Sequence, residues 1–204
     1  MKTTITTVAL LAILATAFTS CKKDKKDEPS PEAPAPPVNE GELITTMKVT
    51  LTDTLTNLSA TYVFSDLDGP GGNAATFADS VITILSNHVY KATILLLDQT
   101  KNPVDTISNE VLAEGIDHMF FFNNIAPSGA PYSVYLSNSM TTIKYLDLDV
   151  NNRGIGLSTL WIAPSMMMNK APLTIELKHQ PSVKDGSYTP GETDIQVGFK
   201  LKVN

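Results

Sequence analysis

The chain has 204 residues, with 15 Lys and Arg against 21 Asp and Glu, three His, one Trp and one Cys. Apolar residues are 42% and charged residues 18%, a balance that suits a packed core and argues against a disordered chain. A formal charge of −6 without any basic stripe speaks against a nucleic-acid partner, and a lone Cys excludes a disulfide framework, a Cys-rich zinc site and an iron–sulfur cluster.

Residues 1–20 read as a lipoprotein signal peptide. Lys2 supplies a positive start, and Val8 to Ala15 is an apolar run of eight. That run is too short to cross about 30 Å of hydrocarbon as a helix, which takes roughly 20 apolar residues. Phe18-Thr19-Ser20-Cys21 resembles a bacterial lipobox, with Phe18 in place of the usual Leu. The resemblance implies that Cys21 becomes the acylated N-terminus, held at a membrane lipid by about 0.8 kcal/mol per buried CH₂. The alternative is an ordinary secreted protein with a leftover thiol. Cleavage would remove Lys2 and no acid, leaving 14 − 21 = −7.

Residues 21–41 then form a tether. Residues 22–28 are all charged and 29–37 are Pro-dense, so the segment is extended and unpacked. At about 3.1 Å per residue it reaches roughly 60 Å. The Lys/Asp/Glu cluster after Cys21 is similar to the surface-export signal of Bacteroidetes lipoproteins. That similarity implies an outer-membrane protein facing the cell surface; a solvated spacer on a periplasm-facing lipoprotein is the alternative.

Residues 42–204 read as one all-β domain. Thr-rich, β-branched alternation predicts ten short strands over 43–52, 58–65, 80–85, 89–98, 119–123, 132–137, 142–150, 155–163, 173–179 and 193–203. Gly, Pro, Asn and Asp clusters such as Asp185-Gly186 and Pro190-Gly191 separate them. Residues 108–115 predict one short helix, with Ser108 or Asn109 as cap and Gly115 as stop. Together these predict an antiparallel, Ig-like β-sandwich. In the last strand Ile195, Val197, Phe199, Leu201 and Val203 predict a core face, and Asp194, Gln196, Lys200 and Lys202 a wet one. Trp161 is expected in the core.

Enzyme motifs are missing from the sequence: there is no Gly-x-Ser-x-Gly elbow, no His-Glu-x-x-His and no P-loop, so no catalytic residue is expected. Two sets of residues suggest a metal. Glu114, Asp117 and His118 lie close together and His179 stands at a strand exit; imidazole with carboxylate is a zinc or copper shell, to which Met166, Met167 and Met168 would add thioethers for copper. Asp147, Asp149 and Asn151 have the one-three-five spacing of a calcium loop, and Asp66 with Asp68 is a shorter acidic turn. Asn152 and Ser158 stand where an EF-hand needs Gly and Glu, so both acidic turns read first as strand-end turns closed by Asx hydrogen bonds, with structural calcium as the alternative. Phe120, Phe121, Phe122, Tyr132, Tyr135 and Tyr145 mostly alternate with core positions, and a glycan-stacking platform is the minority alternative.

The chain as a whole resembles a family of small Bacteroidetes outer-membrane lipoproteins, some of whose members carry a type 1 periplasmic binding fold label. The resemblance rests on the opening strand from Glu42, the Asp66-Leu-Asp68-Gly69 turn, the Glu114 to Phe121 patch, and Leu177-Lys-His179-Gln-Pro181 with Pro190-Gly-Glu-Thr-Asp194. A periplasmic binding fold alternates strands and helices, which this sequence does not. By analogy the resemblance implies an accessory binding module beside a TonB-dependent outer-membrane transporter. The alternatives are a structural or adhesive envelope protein and a glycan-binding module.

Overall fold

The computed structural model describes residues 43–69, 71–129 and 132–204. The signal peptide, Cys21 and the tether lie outside the described residues. Eleven strands and one helix follow in order: β1 Thr46–Asp53, β2 Ser59–Ser65, β3 Thr76–Phe77, β4 Val81–Ile84, β5 Val89–Leu97, α1 Ile107–Ala113, β6 His118–Phe122, β7 Ser133–Leu136, β8 Thr141–Tyr145, β9 Ser158–Ile162, β10 Met168–His179 and β11 Glu192–Val203. All ten expected strands are present, and β3 adds a two-residue edge to the set.

The strands form two sheets. The larger runs β3-β2-β1-β5-β9-β8-β7, and the smaller β4-β11-β10-β6. The fold is therefore an all-β sandwich. Every pairing is antiparallel except β4 with β11, which is parallel from Lys200↔Val81 to Val203↔Ile84. The open edge of β4 is closed by tyrosines of the other sheet. The Thr83 N–H donates to the Tyr62 hydroxyl at 3.0 Å, and the Leu85 N–H to the Tyr90 hydroxyl at 2.8 Å. These bonds satisfy edge amides that would otherwise template a foreign strand.

Period-two alternation decides the core. Met47, Val49 and Leu51 of β1, Ile94 and Leu96 of β5, and Ile195 to Val203 in alternation on β11 are all buried. Trp161 is fully buried, with Phe122 edge-on to it at 5.9 Å. Each such side chain contributes about 1.5–3 kcal/mol by leaving water. Phe120, Phe121 and Phe122 are fully buried and Tyr145 nearly so, whereas Tyr135 stands exposed. These four aromatics are thus core, and β6 is packed on both faces. Phe122 turns inward to Trp161, and Phe121 turns outward under the ring of Tyr188 at 5.3 Å.

The helix is close to the expected one, with a different start. Thr106 occupies the cap position and makes no side-chain cap bond. Ser108 lies inside the helix, where its hydroxyl accepts the Leu96 N–H at 2.6 Å and ties α1 to β5. Ile107 and Val111 face the core, and Gly115 ends the run where a Cβ would come within 2.6 Å of Ile155.

Candidate metal centre

The helix-to-strand junction carries two candidate ligands. After α1, the Glu114 N–H donates to the Glu110 carbonyl at 2.8 Å, and the chain turns into β6 through Asp117 N–H to the Glu114 carbonyl at 2.8 Å. This tight turn sets Glu114 and His118 side by side. Register supplies the third group. β6 and β10 pair antiparallel with His179 directly across from His118, Leu177 from Phe120 and Ile175 from Phe122. Paired residues share a face, so both imidazoles lie on the face of Phe122, at the His118–His179 end of the β6–β10 pair.

The result is a compact cluster. One ligand atom each from Glu114, His118 and His179 lies within 4.8 Å of the others. The two rings stack with centroids 4.5 Å apart and planes 11° from parallel. His118 Nδ1 is 3.2 Å from the Glu114 carbonyl oxygen, and His118 Nε2 is 3.6 Å from Asp194 Oδ2. Burial holds the His118 imidazole below its ordinary value, and the neighbouring His179 pushes in the same direction. That direction favours the neutral imidazole, the form that ligates a metal. Burial pushes the Asp194 carboxyl up to about 6, with Glu192 adding to the rise and His179 opposing it.

Asp117, expected among the ligands, does a different job. Its carbonyl accepts the Gln180 N–H at 2.6 Å and its Oδ1 the Ser182 N–H at 3.1 Å. It fastens the start of β6 to the end of β10 and so fixes the histidine register. The Met run does not join the site either. Met168 opens β10 and His179 closes it, roughly 36 Å away at about 3.3 Å per residue. Met166 and Met167 are exposed. The third imidazole, His88, sits at the opposite end of the sandwich, 2.5 Å from Asp53.

The two acidic turns take their hydrogen bonds from the chain itself. Asp147 accepts the Gly156 N–H at 2.8 Å on one oxygen and the Ser158 N–H at 2.9 Å on the other. Asp149 accepts the amides of Asn151 at 2.8 Å and Arg153 at 2.9 Å on Oδ1, and pairs with the Lys184 ammonium through Oδ2 at 2.9 Å. Burial alone would raise Asp149; the Arg153 amide and Lys184 outweigh it and hold the carboxyl below its usual range. Asn151 is exposed. Asp149 closes an Asx turn, Asp147 ties down the distant amides of Gly156 and Ser158, and the cation paired with Asp149 is a buried lysine. In the shorter turn Asp68 Oδ2 accepts both the backbone and side-chain amides of Asn73, at 2.7 and 2.6 Å. Asp66 Oδ1 is buried with no donor, beside a hollow of about 320 Å³.

Two residues of this region escape a reading of the sequence alone. Lys184 ties the 181–191 loop to the helix end, its ammonium donating to the Gly115 carbonyl at 2.6 Å. Asp194 stands in an alternating strand where it reads as a solvent-facing residue, yet its side chain is only 12% exposed.

No protein-family model, curated protein or solved structure matches the chain.

Proposed function

We propose that this protein is a membrane-anchored binding module for a divalent transition metal, held by Glu114, His118 and His179. The observation that carries the reading is the convergence of these three ligand atoms within 4.8 Å on a register pair and a helix end. Two imidazoles and a carboxylate suit zinc, or copper(II), and do not suit calcium, which takes about 6–8 oxygens. With the thioethers at the far end of β10, the case for copper(I) falls away.

The sequence before residue 43 supports the anchored half of the reading: an apolar run, a lipobox-like Cys21 and a Pro-rich tether. A tether confines a binding domain near a membrane without fixing its orientation, which raises its effective concentration for a partner there. The setting proposed is the outer membrane, surface-facing, with a TonB-dependent transporter as the partner that receives the ligand. No catalytic residue is assigned.

Calorimetry with Zn²⁺, Cu²⁺ and Ca²⁺ tests the reading. One equivalent of zinc or copper should bind with micromolar or tighter affinity and calcium should not. His118→Ala and His179→Ala should each weaken binding at least a hundredfold. Binding no tighter than millimolar, or unchanged in both variants, rejects it.

A further inference from the structure

We infer that the end of the sandwich farthest from the start of β1 is a membrane-docking tip, which inserts aliphatic side chains into the headgroup region of an anionic phospholipid bilayer. The inference rests on the anchored half of the reading above and goes beyond it; the metal centre plays no part in it.

Three turns meet at this end: residues 54–58 between β1 and β2, 85–88 between β4 and β5, and 163–167 between β9 and β10. Backbone bonds hold them side by side. The Thr54 N–H donates to the Val89 carbonyl at 2.9 Å, the Asn87 N–H to the Pro164 carbonyl at 2.9 Å, and the Ala163 N–H to the His88 carbonyl at 3.0 Å. Their sequences, Thr-Leu-Thr-Asn-Leu, Leu-Ser-Asn-His and Ala-Pro-Ser-Met-Met, contain no Asp, Glu, Lys or Arg. Yet Leu55 is 75% exposed, Leu58 73% and Met167 76%, with Leu85 and Met166 also in water. A hollow of about 210 Å³ lies among Leu51, Leu58, Leu85 and Tyr90. Clustered aliphatic side chains gain by leaving water, and a patch of this kind marks an interaction site. Asp53, the acidic side chain at this end, is buried against His88 at 2.5 Å, so no exposed acid resists desolvation.

Charge selects the occupant. Lys91, Lys170, Lys200 and Lys202 ring the tip, each within four residues of a tip-side strand end, and the first three are exposed. Carboxylates gather at the other end, among them Asp66, Asp68, Glu110, Glu114, Asp185 and Glu192. In a chain of net charge −6 this asymmetry turns the tip toward an anionic surface and the opposite end away from it. Lysines reach headgroup phosphates while their stems lie along apolar surface. A protein partner is served less well, since protein interfaces favour Tyr, Trp and Arg anchors and the three turns have none. Geometry permits the contact. The chain enters at the start of β1, where the Thr45 N–H donates to the Leu97 carbonyl. β1 sets that entry and the tip roughly 26 Å apart, and the tether expected over residues 21–41 reaches roughly 60 Å. The tip is therefore within reach of the bilayer that would hold Cys21.

Position-specific fluorescence is the test. The full chain carrying Cys21→Ser receives one cysteine: Leu55→Cys, Met167→Cys or, as a control at the opposite end, the exposed Lys101→Cys. Each is labelled with an environment-sensitive dye and mixed with vesicles of phosphatidylglycerol and phosphatidylcholine in equal parts. Both tip labels should shift to the blue and be quenched by nitroxide-bearing lipid, and the control should do neither. Adding Leu58→Asp and Met166→Asp, both at exposed sites, should raise the lipid needed for half the Met167→Cys shift about tenfold at unchanged Tm. Lys170→Glu with Lys200→Glu should raise it for the mixed vesicles and not for pure phosphatidylcholine. Tip labels that respond no more than the control, or Asp and Glu variants that leave the lipid requirement unchanged, overturn the inference. So does a shift that grows with protein concentration without vesicles, which assigns the tip to a second copy, and silence in both settings, which leaves a protein partner. The mass of Cys21 in native material tests the anchor separately. A free thiol with a responsive tip removes the anchor and keeps the docking; an acylated Cys21 with a silent tip does the reverse.

Discussion

The ammonium of Lys184 lies 2.9 Å from the Asp149 carboxylate, with each side chain only 1% exposed. It also donates to the Gly115 carbonyl at 2.6 Å, and Arg153 reaches back from the Asp149 turn to the Lys184 carbonyl. One cation thus joins the helix end, the 147–156 loop and the 181–191 loop. Replacing it by an apolar side chain leaves Asp149 charged and buried with only amides for company.

Lys184→Met should therefore cost about 3–5 kcal/mol, the range for breaking a buried pair on one side. For a domain of this size that is a fall in Tm of roughly 6–20 °C. The double variant Lys184→Met with Asp149→Asn should recover much of it, since no charge is then stranded. Thermal melts in chelator measure both. Millimolar Ca²⁺ should leave the wild-type Tm unchanged; a rise would reinstate the calcium loop at Asp147 and Asp149.

Gly191 makes the sharpest backbone approach near the site. Its φ is +81°, and a Cβ there would lie 2.1 Å from the His179 carbonyl oxygen and 2.8 Å from Gln180. Neither backbone atom nor buried Gln180 can retreat easily, because Gln180 Nε2 donates to the Ser187 and Pro190 carbonyls. Gly191→Ala should cost about 2–4 kcal/mol, combining left-handed strain with overpacking. Gly71, with φ +94° and open space around its Cβ, is the control, and Gly71→Ala should cost only the strain, about 1–2 kcal/mol. Equal losses in the two variants would show that the contact with His179 is immaterial.

How far the sequence speaks depends on the range of the interaction. Strands are local: period-two alternation placed all ten, and only β3 went unseen, since two residues carry no period. The parallel seat of β4 against the end of β11 is not local, and nothing in residues 80–85 announces it. The site divides the same way. Glu114 and His118 are near neighbours, whereas the meeting of His118 with His179 depends on the β6–β10 register. The spacing of Asp147 and Asp149 suggests calcium because carboxylates are visible in a sequence; the amides of Gly156, Ser158 and Arg153, and a lysine 35 residues beyond Asp149, are not. Asp194 obeys the alternation in writing and departs from it in space, because a bulge leaves no mark on residue type.

At the other end of the sandwich, His88 Nδ1 and Asp53 Oδ2 are 2.5 Å apart, and Asp53 Oδ1 also accepts the Leu55 N–H at 2.8 Å. Burial raises the Asp53 carboxyl, but the His88 bond and the turn amides outweigh it and leave it below 3.8. A depressed carboxyl contributes stability that is present above the unfolded value and lost as pH falls through the folded one. The Tm gap between wild type and Asp53→Asn should therefore hold from pH 7 to about 5 and close below about 3.8. A gap that persists to pH 2 would assign the effect to something other than this carboxylate.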